Sequence, residues 1–310
     1  MTVVDADALG RFSLHFYTSV NLRAGQMVEL VDAIKAHFLV ERLPAVLCFD
    51  VDGKPVERSV RDLAGYVGSP AFDEWRGRLN VFVKAEGIAG RWELLRLPVG
   101  SEDRRSGLDL NGRLGRFASH EIVVEMDAGL RRDGRVVDGI FSLFARVSDV
   151  LQATFALGQD VEPSYLKNLH SPRGLAAGLP DVFRLTTFGP EFVAIVGAEK
   201  LLRLPVYRAA QLSSGAVAIQ TDAAIARRVN VEATRGALKS AIGGEYFIAS
   251  DDGDGRPDDV GGGRVGLLHL ASFLWRQWRA QRDTRHLARR RPVIDSSGLF
   301  VQDARDVRRG

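Results

Sequence analysis

The sequence predicts an α+β fold, a mixed or antiparallel sheet covered by helices, followed by a C-terminal helical, Arg-rich extension. Three observations lead there. Segments that alternate apolar and polar residues recur through the first 126 positions, separated by glycine-containing turns. Helical patterns fall between groups of these strands rather than after every one, which argues against a strict parallel β-α repeat. From residue 250 onward the composition turns first polar and glycine-rich, then rich in arginine.

Phe12, Leu14 and Phe16 alternate with Ser13, His15 and Tyr17, so residues 11–18 are expected to form a strand with one buried face. Met27, Leu30, Val31, Ile34 and Phe38 then recur at helical spacing and mark a helix over 23–40. Residues 45–51 return to strand, and Asp52-Gly53 marks a two-residue hairpin turn. A short helix over 59–67 takes Ser59 as its N-cap. Residues 79–85 and 91–99 form a second hairpin around Gly87–Gly90. Residues 100–115 read as a long loop, and 116–126 as a further strand. The longest apolar helical pattern runs over 136–157 and ends at Gly158. A strand over 181–187, a helix over 190–202, and a strand pair 206–210 with 216–221 follow. A helix over 231–242 and a short strand over 246–249 close the body.

The expected organisation is a body over 1–249, with a subdivision point near 100–115, then a flexible linker over 250–264. Residues 265–310 carry an amphipathic helix (267–278) and a disordered basic tail. The chain has 310 residues, 45% of them hydrophobic, enough for a large core without staples. Cys48, the single cysteine, excludes an intramolecular disulfide and sits in an apolar run, so it reads as a small buried hydrophobe. The N-terminus lacks the basic, apolar pattern of a secretory signal, and no apolar run is long enough to span a membrane. The expected compartment is the cytoplasm. The net charge of +3 hides an asymmetry. Ten arginines and four aspartates from Arg276 on give the tail +6 and leave −3 on the other 275 residues. A mildly acidic body is a poor surface for phosphate backbones.

No phosphate-binding glycine loop, no nucleophile elbow and no pair of histidines at metal-binding spacing is present. Asp251-Asp252-Gly253-Asp254-Gly255 resembles part of a calcium loop. Aligned on Gly255, however, it places Ser250 at the first ligand position and Gly261 where a bidentate glutamate is required. Ser119, His120 and Glu121 are neighbours in a strand, where successive side chains point to opposite faces, so adjacency does not make them a triad. Catalytic, metal and cofactor sites are all read as absent. Six residues, Leu-Leu-Arg-Leu-Pro-Val, occur at both 94–99 and 201–206, once in a strand pattern and once after a helix, as a coincidence of composition.

The stretch 183–221 has a more specific order. A strand ends in Phe188-Gly189-Pro190, and a helix follows with Gly197, Lys200, Leu201 and Leu202. Pro205 and Tyr207 lead a strand, Gly215 makes a hairpin turn, and Ile219-Gln220 close a second strand. This order, continued by the helix to Gly243, resembles immunity proteins of bacterial polymorphic-toxin and type VI secretion systems, around immunity protein family fifty-two. The resemblance covers about 60 residues of the chain. It implies a stoichiometric inhibitor rather than an enzyme, with a cognate toxin or effector protein as partner. No membrane partner is expected, and the charge distribution argues against nucleic acid. A basic nuclease toxin would suit the acidic body. The motif positions, Phe188, Gly189, Pro190, Gly197, Leu201, Leu202, Tyr207 and Gly215, are expected to be structural. Two alternatives stay open: an enzyme with an acid/base site dispersed in sequence, and a nucleic-acid-binding adaptor acting through the tail.

Overall fold

A computed structural model of the chain describes residues 10–18, 20, 22–51, 54–74, 77–96, 106–108, 114–116, 120–160, 179–223, 225, 232–247, 293–294 and 300–301. The chain opens with β1 (Phe12–Thr18), α1 (Ala24–Phe38), β2 (Ala45–Val51) and β3 (Lys54–Val60). Then come α2 (Leu63–Val67), α3 (Pro70–Glu74), β4 (Gly77–Ala85), β5 (Ile88–Arg96), β6 (Ser106–Leu108), β7 (Leu114–Arg116) and β8 (His120–Met126). A 3-10 turn over Leu130–Arg132 leads into α4 (Gly134–Val150), β9 (Phe155–Asp160) and β10 (Leu185–Phe188). The body closes with α5 (Pro190–Val196), α6 (Ala198–Leu202), β11 (Arg208–Gln211), β12 (Val217–Gln220), α7 (Glu232–Ile242) and a 3-10 turn over Gly244–Tyr246. Two small ladders stand apart: β6 with β7, and β13 (Val293–Ile294) with β14 (Phe300–Val301).

Ten strands share one sheet in the order β11-β12-β10-β9-β1-β8-β5-β4-β2-β3, and every pairing in it is antiparallel. The predicted α+β class therefore holds. Strands from both sides of residues 100–115 join this sheet, and part of that segment pairs as the β6–β7 hairpin rather than running as loop.

One face of the sheet is covered along its length. The apolar stripe of α1 (Met27, Leu30, Val31, Ile34, Phe38) packs with Ile140, Phe144 and Val147 of α4 on Phe12, Leu14, Phe16, Leu47, Val81, Trp92 and Ile122. On the other face, the described helices cover the β9–β12 end. There α5, α6 and α7 place Phe192, Val196, Leu201, Leu238 and Ile242 on Tyr17, Phe155, Leu157, Phe188, Val217 and Ile219. Alternation alone produces both cores, because neighbouring residues of one strand serve opposite layers.

Several expectations are corrected. All seven residues of β1 are buried, polar ones included, because β1 is a central strand lying beside both cores. The short helix starts at Leu63, and its cap is Asp62, whose carboxylate accepts from the Ala64 N–H; Ser59 belongs to β3. The long helix stops at Val150. Gln152 turns the chain at φ 47°, and Phe155 opens a strand, so the apolar positions after 150 serve β9. Gly158 lies inside β9 rather than capping a helix, since a Cβ there would meet Leu185 Cδ1 at 2.9 Å and Leu14 Cδ2 at 3.0 Å. The predicted helix over 190–202 is broken at Gly197, at φ 99°, into α5 and α6. Of the predicted last strand over 246–249, the described residues show Tyr246 ending a 3-10 turn and Phe247 making an isolated parallel bridge to Leu179. The linker, the helix over 267–278, the aspartate-rich loop and most of the basic tail lie outside the described residues.

Candidate functional site

The half of the second face over β3, β2, β4, β5 and β8 carries no described helix. Register fixes what it presents. One row runs Ser59, Val46, Phe82, Arg91, Val123 and His15 across six strands. The next runs Glu57, Cys48, Asn80, Glu93, Glu121 and Tyr17. Lys84, Ala89, Glu125 and Ser13 form a third. In the middle stands Phe82, 44% exposed although it is a large aromatic in a regular strand. Cys48, expected to be buried, is half-buried on this face; burial and the neighbouring Glu57 push its thiol above the ordinary range.

Glu93 and Glu121 are direct cross-strand partners, an arrangement of like charges that weakens a sheet. Each has local relief. The Arg91 guanidinium pairs with Glu93, and the Tyr17 hydroxyl donates to Glu121 Oε1 at 3.1 Å. Burial first, then the Glu121 charge and that hydrogen bond, push the Tyr17 phenol well above its usual range. Arg11 reaches Glu125 at 3.3 Å.

At the inner margin of this face Ser13 Oγ lies 3.0 Å from His15 Nε2, and His15 Nδ1 lies 3.5 Å from Glu121 Oε1. The order serine–imidazole–carboxylate is that of a nucleophilic triad. Ser13 is completely buried, however, and Nδ1 has no hydrogen-bond partner. The adjacent residues that adjacency could not make a triad do separate: His120 faces the first core and Glu121 the open face. Glu121 meets His15 of another strand instead, over more than a hundred residues of chain. No local pattern could have signalled that.

A second polar cluster sits at the far end of β1. Arg131 and Arg184, 0% and 2% exposed, lie over the Phe12 ring. Arg131 pairs with Asp160 at 2.6 Å and donates to the carbonyls of Gly10 and Ile225 at 2.9 Å. Arg184 pairs with Asp160 at 2.9 Å and holds both oxygens of Asp222, at 3.0 and 3.2 Å. Each carboxylate is spoken for, and the network joins five chain segments as a structural clamp.

The motif positions scatter along the fold. Phe188 and Leu201 are core residues, Pro190 opens α5, and Gly197 and Gly215 supply positive φ at turns. At Gly189 a Cβ would meet the Thr154 carbonyl oxygen at 2.4 Å. Leu202 and Tyr207 are exposed, with the Arg208 guanidinium 5.0 Å over the Tyr207 ring. A shallow depression nearby is lined by Lys200, Arg203, Leu204, Pro205 and Ala241. Among the described residues no group of histidine, cysteine and carboxylate side chains could hold a metal ion, and no helix is long and apolar enough to cross a membrane.

No protein-family model matches the chain, and no curated protein matches it. Among solved structures the chain is similar to the Pseudomonas aeruginosa T6SS protein PA0821, at 17% identity and a TM-score of 0.47, over 94% of this chain and 89% of that one.

Proposed function

We propose that this chain is a cytoplasmic immunity protein of a type VI or related polymorphic-toxin system, which neutralises a cognate toxin by stoichiometric occlusion. The observation that carries the reading is the half-covered sheet. Among the described residues, α5–α7 cover the second face at one end and no helix covers its other five strands, where Phe82 is exposed between Val46 and Arg91. A regular face with an aromatic centre and a polar rim is the form of a protein-docking surface. The order of elements over 183–243, with its likeness to immunity proteins, supports the same class. Action by occupancy needs no turnover chemistry, and a basic nuclease would meet the carboxylates favourably.

The test is co-expression. The toxin encoded beside this chain in its native genome should arrest growth alone and cease to do so when the chain is present at equal amount. Undiminished killing beside well-folded chain would sink the proposal.

A second reading, hydrolysis by Ser13, rests on the Ser13–His15–Glu121 order. Burial of the serine speaks against it. A fluorophosphonate probe should leave Ser13 unlabelled, and stoichiometric labelling abolished by Ser13→Ala would establish it instead.

A further inference from the structure

We infer that the open face receives a basic protein surface, with a partner lysine or arginine seated between Glu93 and Glu121 and an apolar partner group covering Phe82. The inference rests on the reading of the chain as a binding protein and names the chemistry of its partner.

Two features converge on one place. The first is charge. Register sets Glu93 against Glu121, and Glu57 and Glu125 flank them on the same face. Two carboxylates fixed side by side gain from a cation placed between them, and the intramolecular relief is incomplete. Arg91 pairs with Glu93, and Glu121 is met by a phenol and an imidazole rather than by an arginine or lysine. The second is apolar exposure. Phe82 is flanked by Val46 and Arg91 in its row, so a partner group that covers it removes an aromatic ring from water beside the charges. Five strands at ~4.8 Å spacing make this face roughly 20 Å wide, room for a helix or a hairpin of a partner. Among the described residues no other surface shows this convergence. The exposed Leu202 and Tyr207 stand at the opposite end of the sheet, where Arg208 already stacks on the Tyr207 ring.

Cys48 makes the inference testable, because the chain's one thiol lies on this face beside Asn80 and Glu57. The full chain is labelled at Cys48 with benzophenone maleimide, mixed with native-host lysate and irradiated. The expected product is a one-to-one adduct with a single lysine- and arginine-rich protein. It should be lost in Phe82→Asp, whose folding is checked by its melting temperature. With the captured protein purified, Glu93→Gln should weaken affinity tenfold or more while leaving the melting temperature equal or higher, because it relieves the Glu93–Glu121 repulsion. A side chain with a purely structural role would not separate those two readouts.

Adducts only within the chain, or to a second copy of it, would overturn the inference, as would an acidic partner, no adduct, or unchanged affinity of Glu93→Gln. The two proposals fail separately. A captured basic protein that is harmless when expressed alone removes the immunity reading and leaves the docking face. A toxin still neutralised by the Phe82→Asp chain removes the docking face and leaves the immunity reading.

Discussion

At the scale of single residues, the buried arginines set the largest stakes. Arg184 is almost fully enclosed, and its charge is balanced by Asp160 and Asp222. Replacing it with methionine keeps most of the volume but removes the guanidinium that holds both oxygens of Asp222, and leaves Asp160 with Arg131 alone of its two arginines. Breaking one side of such a pair costs about 3–5 kcal/mol. Arg184→Met should therefore lower the unfolding free energy by that amount in a urea titration. A loss under about 1 kcal/mol would mean that water, not Arg184, satisfies the aspartates. Gly189 poses a steric problem of similar size. Any Cβ there would sit 2.4 Å from the Thr154 carbonyl oxygen and 2.6 Å from that of Ala153, both backbone atoms that cannot swing away. Gly189→Ala should cost about 3 kcal/mol or more, at the high end for overpacking, and wild-type stability would show that the β9 start can shift.

Elements are tied together by carboxylates at their ends. Asp149, in the last turn of α4, accepts from the Ser213 hydroxyl at 2.6 Å and the Ser214 N–H at 2.8 Å, which anchors the β11–β12 turn. Burial pushes this carboxyl up, but the accepted hydrogen bonds outweigh it and hold the group below the usual carboxylate range. Asp62 behaves alike: burial is outweighed by the Leu43 and Ala64 N–H groups and by Lys35. The folded state thus favours both anions more than the unfolded state does. Their stabilisation is present above the unfolded pKa of about 4 and is lost as pH falls through the lower folded value. Thermal melts of Asp149→Asn should start below wild type at neutral pH, by about 1 kcal/mol, and converge on it in acid. Parallel curves would show that the anion contributes nothing. The same scale explains the broken helix over 190–202. Gly197 takes a left-handed turn that lets α5 lie on Phe155 and α6 return Leu201 to the core beside β12.

For the whole molecule, the question is why one sheet carries two cores. Helices α1–α4 close the first face, and α5–α7 cross to the second only at the β9–β12 end. Among the described residues no helix covers the other five strands on that face, and that asymmetry makes a platform. Charge on the platform acts at a distance, so association with a basic partner should slow as ionic strength rises, with a smaller effect on dissociation. Stopped-flow rates across a salt series measure this directly. A salt-independent association rate would count against electrostatic docking.

Much of the body was legible from local pattern. The hairpins β2–β3, β4–β5 and β11–β12, helix α1 and helix α7 follow from alternation, helical spacing and glycine placement. Boundaries failed where two periods fit the same residues. The apolar positions from 150 to 157 continue the rhythm of α4, yet residues 155–160 pair with β1 and β10, because a sheet needs that strand to close its middle. The candidate site was scarcely legible. Phe82 and Glu93 read as ordinary strand residues, and nothing in the sequence marks their side of the sheet as the one left uncovered.

The sequence by itself determined the α+β class, most elements and the acidic balance of the body, since these depend on side chains a few positions apart or on simple sums of charge. Tertiary structure alone decided that β1 is buried on both faces, that Arg184 meets Asp222, and that Glu93 faces Glu121 beside an open Phe82. Each of these is set by strand order and helix placement across tens to a hundred residues, where spacing along the chain carries no record of proximity.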